Sequence, residues 1–347
     1  MTLPLSQSSS APAEDVQLAS TSQSMMVRFL LSPSLALGLV IAIFVLFGLT
    51  QSDQFANMQT WINILRNGSF IAITACFMTL VLVSGGLDLS VGSVLAAGAM
   101  TTGALTFNGY PIAIGLIAGV AVGAVVGLIN GVIINYAGIN AIIVTLGTLF
   151  AVRSLVVYVS GGNPIGPLPD SFVELVAGQL FGIPYIIYYA AAVAVLAYLI
   201  LHTSTFGWAV RALGGNRDAA RGVGIPARRV STIVYVLCGA SAALTGALLA
   251  GRLGASSPEL GSGFELQVIA AAIIGGTSIS GAIGTIPGTI LGALLLSVLG
   301  TGLVLLKVDP TLQDFFIGVV LVAAAGLDQF RRRQMFKTSA RRSRSQE

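Results

Sequence analysis

The feature that most constrains this chain is the run at 112–134, IAIGLIAGVAVGAVVGLINGVII, with no charged residue in it. As an α-helix rising 1.5 Å per residue it reaches roughly 34 Å, enough to cross the ~30 Å hydrocarbon core of a bilayer. Lipid offers backbone groups no hydrogen bonds, so a run of this kind crosses it as a helix. A second run at 35–49 has the same character. Composition extends the reading to the whole chain: of 347 residues, 55% are hydrophobic and 9% charged, and the mean hydropathy is +0.91. Soluble domains carry about 25% charge. The fold class expected is an all-α polytopic protein of the inner membrane.

Ten apolar segments are expected, at 33–50, 67–84, 88–107, 111–135, 139–160, 184–202, 229–252, 264–279, 284–306 and 312–328. Of the 17 Lys and Arg, five fall in 203–229 and seven in 331–347. The positive-inside rule puts both clusters in the cytoplasm. Six segments before the first cluster and four between the two return both termini to that side. The 161–183 connection, with Asp170 and Glu174 and no Lys or Arg, is left outside. Residues 1–27, rich in Ser, Thr, Gln, Ala and Pro, read as a disordered cytoplasmic tail and lack the layout of a secretory signal. Residues 28–330 form the membrane domain, and 331–347 a basic cytoplasmic tail. The net charge of +4 is thus explained by orientation and gives no reason to expect a nucleic-acid partner.

Three patterns stand out within this frame. Gly115, Gly119, Gly123, Gly127 and Gly131 form an i, i+4 stripe, repeated in Gly284, Gly288 and Gly292; small residues in rows let helix backbones approach closely, so packing is expected of both. The segments at 83–93 (VSGGLDLSVGS) and 274–284 (IGGTSISGAIG) each carry Gly-Gly followed four residues later by Ser: Gly85, Gly86 and Ser90; Gly275, Gly276 and Ser280. A matched pair of broken segments, one in each half, points to a translocation pathway, with Thr277 and Ser278 beside it. Asp88 is either a cap on the helix that follows or a carboxylate at membrane depth, and both readings stay open. Finally, 211–229 (RALGGNRDAARGVGIPARR) reads as a short cytoplasmic helix. Asn216 caps it, Asp218 lies in its first turn, Ala219, Ala220 and Val223 make one small apolar face, and Gly224 with Pro226 ends it. Two turns are not stable alone, so the helix must dock.

Missing residue types exclude several chemistries. Of the two lysines, Lys307 and Lys337, neither follows a glycine, which rules out a phosphate-binding loop of the GxxxxGK[ST] type. The lone histidine, His202, ends a span, and Cys76 and Cys238 lie in apolar runs, so no metal or disulfide framework is expected. No catalytic constellation is present, and the spans hold no chain of carboxylates and histidines for a proton relay. A driven transporter built this way takes its energy from another protein.

The run ALGGNRDAARGVGI at 212–225 resembles the EAA loop of bacterial ATP-binding-cassette permeases, with Asp218 where Glu is usual. SGGLDLSVGS at 84–93 and GFELQVIAAAIIGGTSISGAIGTIPGT at 263–289 are similar to stretches of the ribose-type sugar permeases. The resemblance covers residues 55–330. It implies a permease subunit that pairs with a second permease, alike or different, and docks two cytoplasmic ATPase subunits that hold ATP and Mg. A periplasmic or extracellular sugar-binding protein would deliver a pentose or hexose. By position, Gly214, Gly215, Asn216, Arg217, Asp218, Ala219, Ala220 and Gly224 would form the ATPase-coupling element. The alternatives are a stand-alone facilitator or intramembrane enzyme, or an importer of another small polar solute.

Overall fold

A computed structural model describes residues 57–309 and, outside that stretch, Phe55, Leu312, Phe315, Gly318, Val319 and Val322. The described part is helical: α1 (Met58–Val83), α2 (Val91–Phe107), α3 (Ile112–Tyr136), α4 (Ala141–Ser160), α5 (Asp170–Ala177), α6 (Tyr185–Tyr198, continued by a π turn over Leu199–Thr203), α7 (Thr205–Gly215), α8 (Arg217–Gly222), α9 (Ala227–Leu253), α10 (Phe264–Ile274) and α11 (Ile286–Leu305). A two-stranded hairpin, β1 (Gln179–Leu180) with β2 (Ile183–Pro184), joins α5 to α6. Among the described residues, six helices are long and apolar enough to cross a membrane: α1, α3, α4, α6 with its π turn, α9 and α11. Eight of the ten expected segments coincide with helices. Segment 33–50 and both tails lie outside the described residues, as does 312–328 except for the five positions named above.

One segment is shorter than expected. The span anticipated at 264–279 is helical only from Phe264 to Ile274, 11 residues, about 16 Å. Gly275, capping α10, and Gly276, at φ +90°, end it early. The remainder up to Thr285 is irregular chain.

The centre of the bundle is α1, buried through its C-terminal two thirds, with α9 beside it. Lipid supplies no hydrophobic drive between helices, so close packing and hydroxyl pairs hold these together. Thr74 Oγ1 bonds Thr245 Oγ1 at 2.8 Å between α1 and α9, and Thr79 Oγ1 bonds Thr289 Oγ1 at 2.6 Å between α1 and α11. The glycine stripe of α3 does what its spacing predicts: all five glycines are buried. A methyl group on Gly119 would strike α2, and one on Gly123, Gly127 or Gly131 would strike the α9 backbone or its side chains. The other faces of α3 and most of α4 are exposed or only partly covered, which leaves them to lipid or to another chain.

Candidate functional site

At one end of the bundle, three pieces of irregular backbone converge: the connection after α1, the connection after α10 and the α7–α8 elbow. The elbow is built as its sequence dictates. Asn216, with extended backbone, closes α7 and caps α8, its Oδ1 accepting from Asp218 N at 3.0 Å and Ala219 N at 2.9 Å. Asp218 follows in the first turn, where the helix dipole favours an anion. After the C-cap Val223, Gly224 turns the chain at φ +84°. The expected apolar face is divided, however. Ala220 is buried against the bundle, whereas Ala219 and Val223 face outward, Val223 at 79% exposure. Adjacent residues are 100° apart on a helix, so Ala219 and Ala220 cannot share one direction. Ala220 therefore seats α8 on its own chain, and Ala219 with Val223 remains as an exposed apolar surface.

Gly214, in the last turn of α7, is where the three pieces touch. A methyl group there would overlap the Val83 carbonyl and come within 2.5 Å of Ala282 N. Those two groups are hydrogen-bonded to each other (Ala282 N to Val83 O, 2.9 Å). The backbones of the two broken segments are thus joined directly, and the elbow rests on the joint. Arg211, one turn back on α7, donates to Gly284 O at 3.3 Å. By contrast, a methyl group on Gly215 would meet only the Ala282 Cβ, at 3.8 Å.

The two broken segments share a backbone motif in a register that their sequences conceal. After α1, Gly85 N bonds Leu82 O and Gly86 N bonds Val81 O; after α10, Gly276 N bonds Ile273 O and Thr277 N bonds Ala272 O. Both are Schellman caps, with Gly85 (φ +81°) and Gly276 (φ +90°) in the left-handed position. Gly85 therefore corresponds to Gly276, Gly86 to Thr277, and Ser90 to Gly281. Aligning the Gly-Gly pairs directly is wrong by one residue, because Ser84 occupies the cap that Gly275 occupies after α10. The two serines accordingly differ in setting: Ser90 is buried and Ser280 exposed, while Thr277 and Ser278 are buried.

Asp88 is 1% exposed. Its Oδ1 accepts from Ser90 N at 2.9 Å and Ser90 Oγ at 2.6 Å, so it braces the residue before α2 rather than the free N–H groups of α2 itself. The chain of bonds continues outward. Asn130 Nδ2 on α3 donates to Ser90 Oγ at 3.0 Å, and Thr148 Oγ1 on α4 donates to Asn130 Oδ1 at 2.6 Å. Asp88 Oδ2 and Thr277 Oγ1 have no hydrogen-bond partner among the described residues.

Three residues central to this arrangement escaped the sequence reading. Asn130 holds Ser90. Asn135, five residues further along α3, accepts a hydrogen bond from Arg217 of α8 and donates to Gly131 O and to Thr232 Oγ1 of α9. Arg217 thus turns back toward the bundle, and burial together with nearby Arg221 pushes its guanidinium below the usual pKa. Arg153 of α4 donates to Pro258 O (2.6 Å), Leu260 O (2.8 Å) and Gly92 O (3.1 Å), tying the loop before α10 to α2. The available signal was the same for all three: an amide or a charge inside an apolar run, where an unpaired polar group is costly. Between α8 and the first broken segment lies a cavity of about 400 Å³ lined by Ser84–Leu87, Asn135, Arg217 and Tyr235 among others.

The site is made of hydroxyls, amides and close backbone contacts, and no group of His, Cys, Asp and Glu that could hold a metal ion occurs among the described residues. Comparisons with known proteins supply the family. The family model described as "Branched-chain amino acid transport system / permease component" matches residues 60–325. The ribose import permease protein of Escherichia coli (strain K12) is 35% identical over 295 residues, covering 83% of this chain and 92% of that protein. The L-arabinose transport system permease protein of the same strain is 36% identical over 280 residues, 80% and 85% of the two chains. The autoinducer 2 import system permease protein of Yersinia enterocolitica is 34% identical over 293 residues, 84% and 81%. No solved structure matches the chain. With the family model spanning most of its length and relatives above 30% identity across 81–92% of theirs, the chain belongs to this family of ATP-binding-cassette permease components, alongside the ribose-type sugar permeases.

Proposed function

We propose that this chain is the membrane-spanning subunit of an ATP-driven, binding-protein-dependent importer of a monosaccharide, a pentose or hexose. The observation that carries the reading is the joint at Gly214, where the elbow leading into α8 rests on the hydrogen bond between the two broken segments. A force applied to α8 reaches both segments through backbone contacts, without passing through flexible side chains. In this reading α8 lies in the cytoplasm, as the arginine distribution favours. Ala219 and Val223 present its apolar face to an ATPase subunit, and Asp218 with Asn216 keeps the helix capped. ATP and Mg are held by that partner.

A second permease subunit, identical or related, covers an exposed apolar face such as that of α4, and a periplasmic or extracellular binding protein delivers the sugar. Closure of the ATPase pair moves the two α8 helices and switches the bundle between inward- and outward-facing states. Gly85, Gly86, Asp88 and Ser90, with Gly275, Gly276, Thr277, Ser278 and Ser280, belong to the gated path. The unpartnered Thr277 hydroxyl and Asp88 oxygen are groups that a passing sugar hydroxyl can satisfy. The relative named for autoinducer 2 import favours a second reading, in which the cargo is another small polar solute.

The test is uptake of a panel of labelled pentoses, hexoses, autoinducer 2 and branched-chain amino acids in proteoliposomes holding this chain, its ATPase and its binding protein. The expectation is uptake of one sugar that requires ATP hydrolysis and is lost in Val223→Asp, together with ATPase recruitment. Equal uptake without the ATPase, or normal recruitment in Val223→Asp, sinks the reading.

A further inference from the structure

We infer that the cavity between α8 and the bundle is a binding site for a phosphate group. Arg217 and Arg221, four residues apart and so on one face of α8, both line the cavity of about 400 Å³, together with Asn135, Asn140, Ser231 and Tyr235. Arg221 also borders a second cavity of about 620 Å³ that Arg228 and Arg229 line. Like charges at this spacing oppose each other in a helix, and the surroundings do little to balance them. The guanidinium of Arg217 meets the neutral amide of Asn135. Arg221 meets Asp218 at 3.4 Å, long for a charge-assisted bond, and the Asp218 side chain is 92% exposed. That is the sole ion pair among the described residues. Arg228 lies over the Tyr136 ring at 5.5 Å. Asp88, next to lining residue Leu87, is turned onto Ser90 and closed to the cavity at 1% exposure.

Arg217 and Arg221, both in contact with solvent, therefore have one solvated carboxylate beside them. Arginine pairs with tetrahedral oxyanions through two parallel N–H···O bonds, so a phosphate bridging Arg217 and Arg221 removes their mutual repulsion. The amides of Asn135 and Asn140 and the hydroxyls of Ser231 and Tyr235 remain for the rest of a small polar ligand. The volume is within the range of small-molecule sites, ~300–1,000 Å³. A phosphorylated small molecule and an anionic lipid headgroup both carry this chemistry. Either would sit under the elbow and draw Arg217 from Asn135, biasing α8 relative to α3. The inference uses the cytoplasmic position of α8 but not the identity of the cargo.

The test is made on the full chain in nanodiscs of phosphatidylcholine, titrated at constant ionic strength with inorganic phosphate, ribose 5-phosphate and, as control, ribose. A second set of discs contains phosphatidylglycerol, and thermal stability is the readout. Saturable stabilisation by phosphate or ribose 5-phosphate but not ribose, weakened at least tenfold in Arg221→Gln/Arg228→Gln, supports a free phosphomonoester. Stabilisation only by phosphatidylglycerol, lost in the same variant, supports a lipid headgroup. Arg221→Lys, which keeps the charge without the planar fork, is expected to fall between and serves if the double variant does not fold. No stabilisation in either set, or equal stabilisation of wild type and variants, overturns the inference. Binding is read without transport, so failure here is distinguishable from failure of the importer reading.

Discussion

Replacing Gly214 by Ala tests the joint directly, because the neighbouring Gly215→Ala adds the same atom without overlap. At Gly214 the new methyl overlaps the Val83 carbonyl and lies 2.5 Å from Ala282 N. Both are backbone atoms of packed segments and cannot swing away, so the 2.9 Å bond between them must lengthen or α7 must lift. Overpacking of this kind costs about 1–3 kcal/mol, and loss of a buried backbone bond adds about 1–3 kcal/mol if its groups stay unpaired. The expected destabilisation is therefore roughly 2–6 kcal/mol, confined to one end of the bundle. At Gly215 the added atom meets its nearest neighbour at 3.8 Å, an ordinary contact, and the helix gains roughly 0.5–1 kcal/mol on replacing glycine. In proteoliposomes with the ATPase and binding protein, Gly214→Ala should lose sugar uptake at least tenfold, since ~1.4 kcal/mol is a factor of ten. It should still insert and recruit the ATPase, because Ala219 and Val223 are untouched. Gly215→Ala should transport like wild type. Equal uptake by the two variants would refute the mechanical role of the joint. Equal loss would show that the last turn of α7 tolerates no side chain, for reasons other than this contact.

Two further outcomes test the packing and the buried polar chain. Gly127→Ala presses a methyl against the Tyr235 backbone of α9 and within 2.9 Å of Val236 Cα, so the melting temperature in detergent should fall as expected for about 1–3 kcal/mol; Gly147→Ala, with no atom within 4 Å, should not lower it. Asn130→Ala removes, at a fully buried position, the amide that donates to Ser90 Oγ and accepts from Thr148 Oγ1, and should cost about 1–3 kcal/mol and slow uptake of every accepted sugar, whereas normal uptake would remove Asn130 from any role in holding Ser90.

The stability of an isolated span in lipid depends on its own sequence, since every backbone bond lies within the segment. For that reason α1 to α4, α6, α9 and α11 could be read locally, whereas α5 and α7 were not anticipated and α10 was drawn too long; the glycine stripe of α3 declared its packing face by spacing alone. The Asn216 cap and the Gly224 turn were legible on the same ground, because each bond lies within three residues. The resemblance of 212–225 and 263–289 to sugar permeases carried the family in the same way. Three things were out of reach. The division of α8 into a seated Ala220 and a free Ala219–Val223 surface depends on what lies behind it. The one-residue offset between the broken segments depends on which residue takes the cap, a choice fixed by helix length. The Asn130–Ser90 and Arg217–Asn135 bonds join residues 40 and 82 positions apart.

The sequence by itself determined that the chain crosses a membrane many times, that it carries a short capped helix between apolar runs, and that it lacks the residues to hydrolyse a nucleotide through a phosphate-binding loop. Each of these follows from transfer free energy, local hydrogen bonding or residue inventory. Only the tertiary structure decided that the two broken segments are hydrogen-bonded to each other and that Gly214 rests on their junction. That contact is made between backbones, where glycine matters for the side chain it lacks, and an absent side chain has no partner written in the sequence.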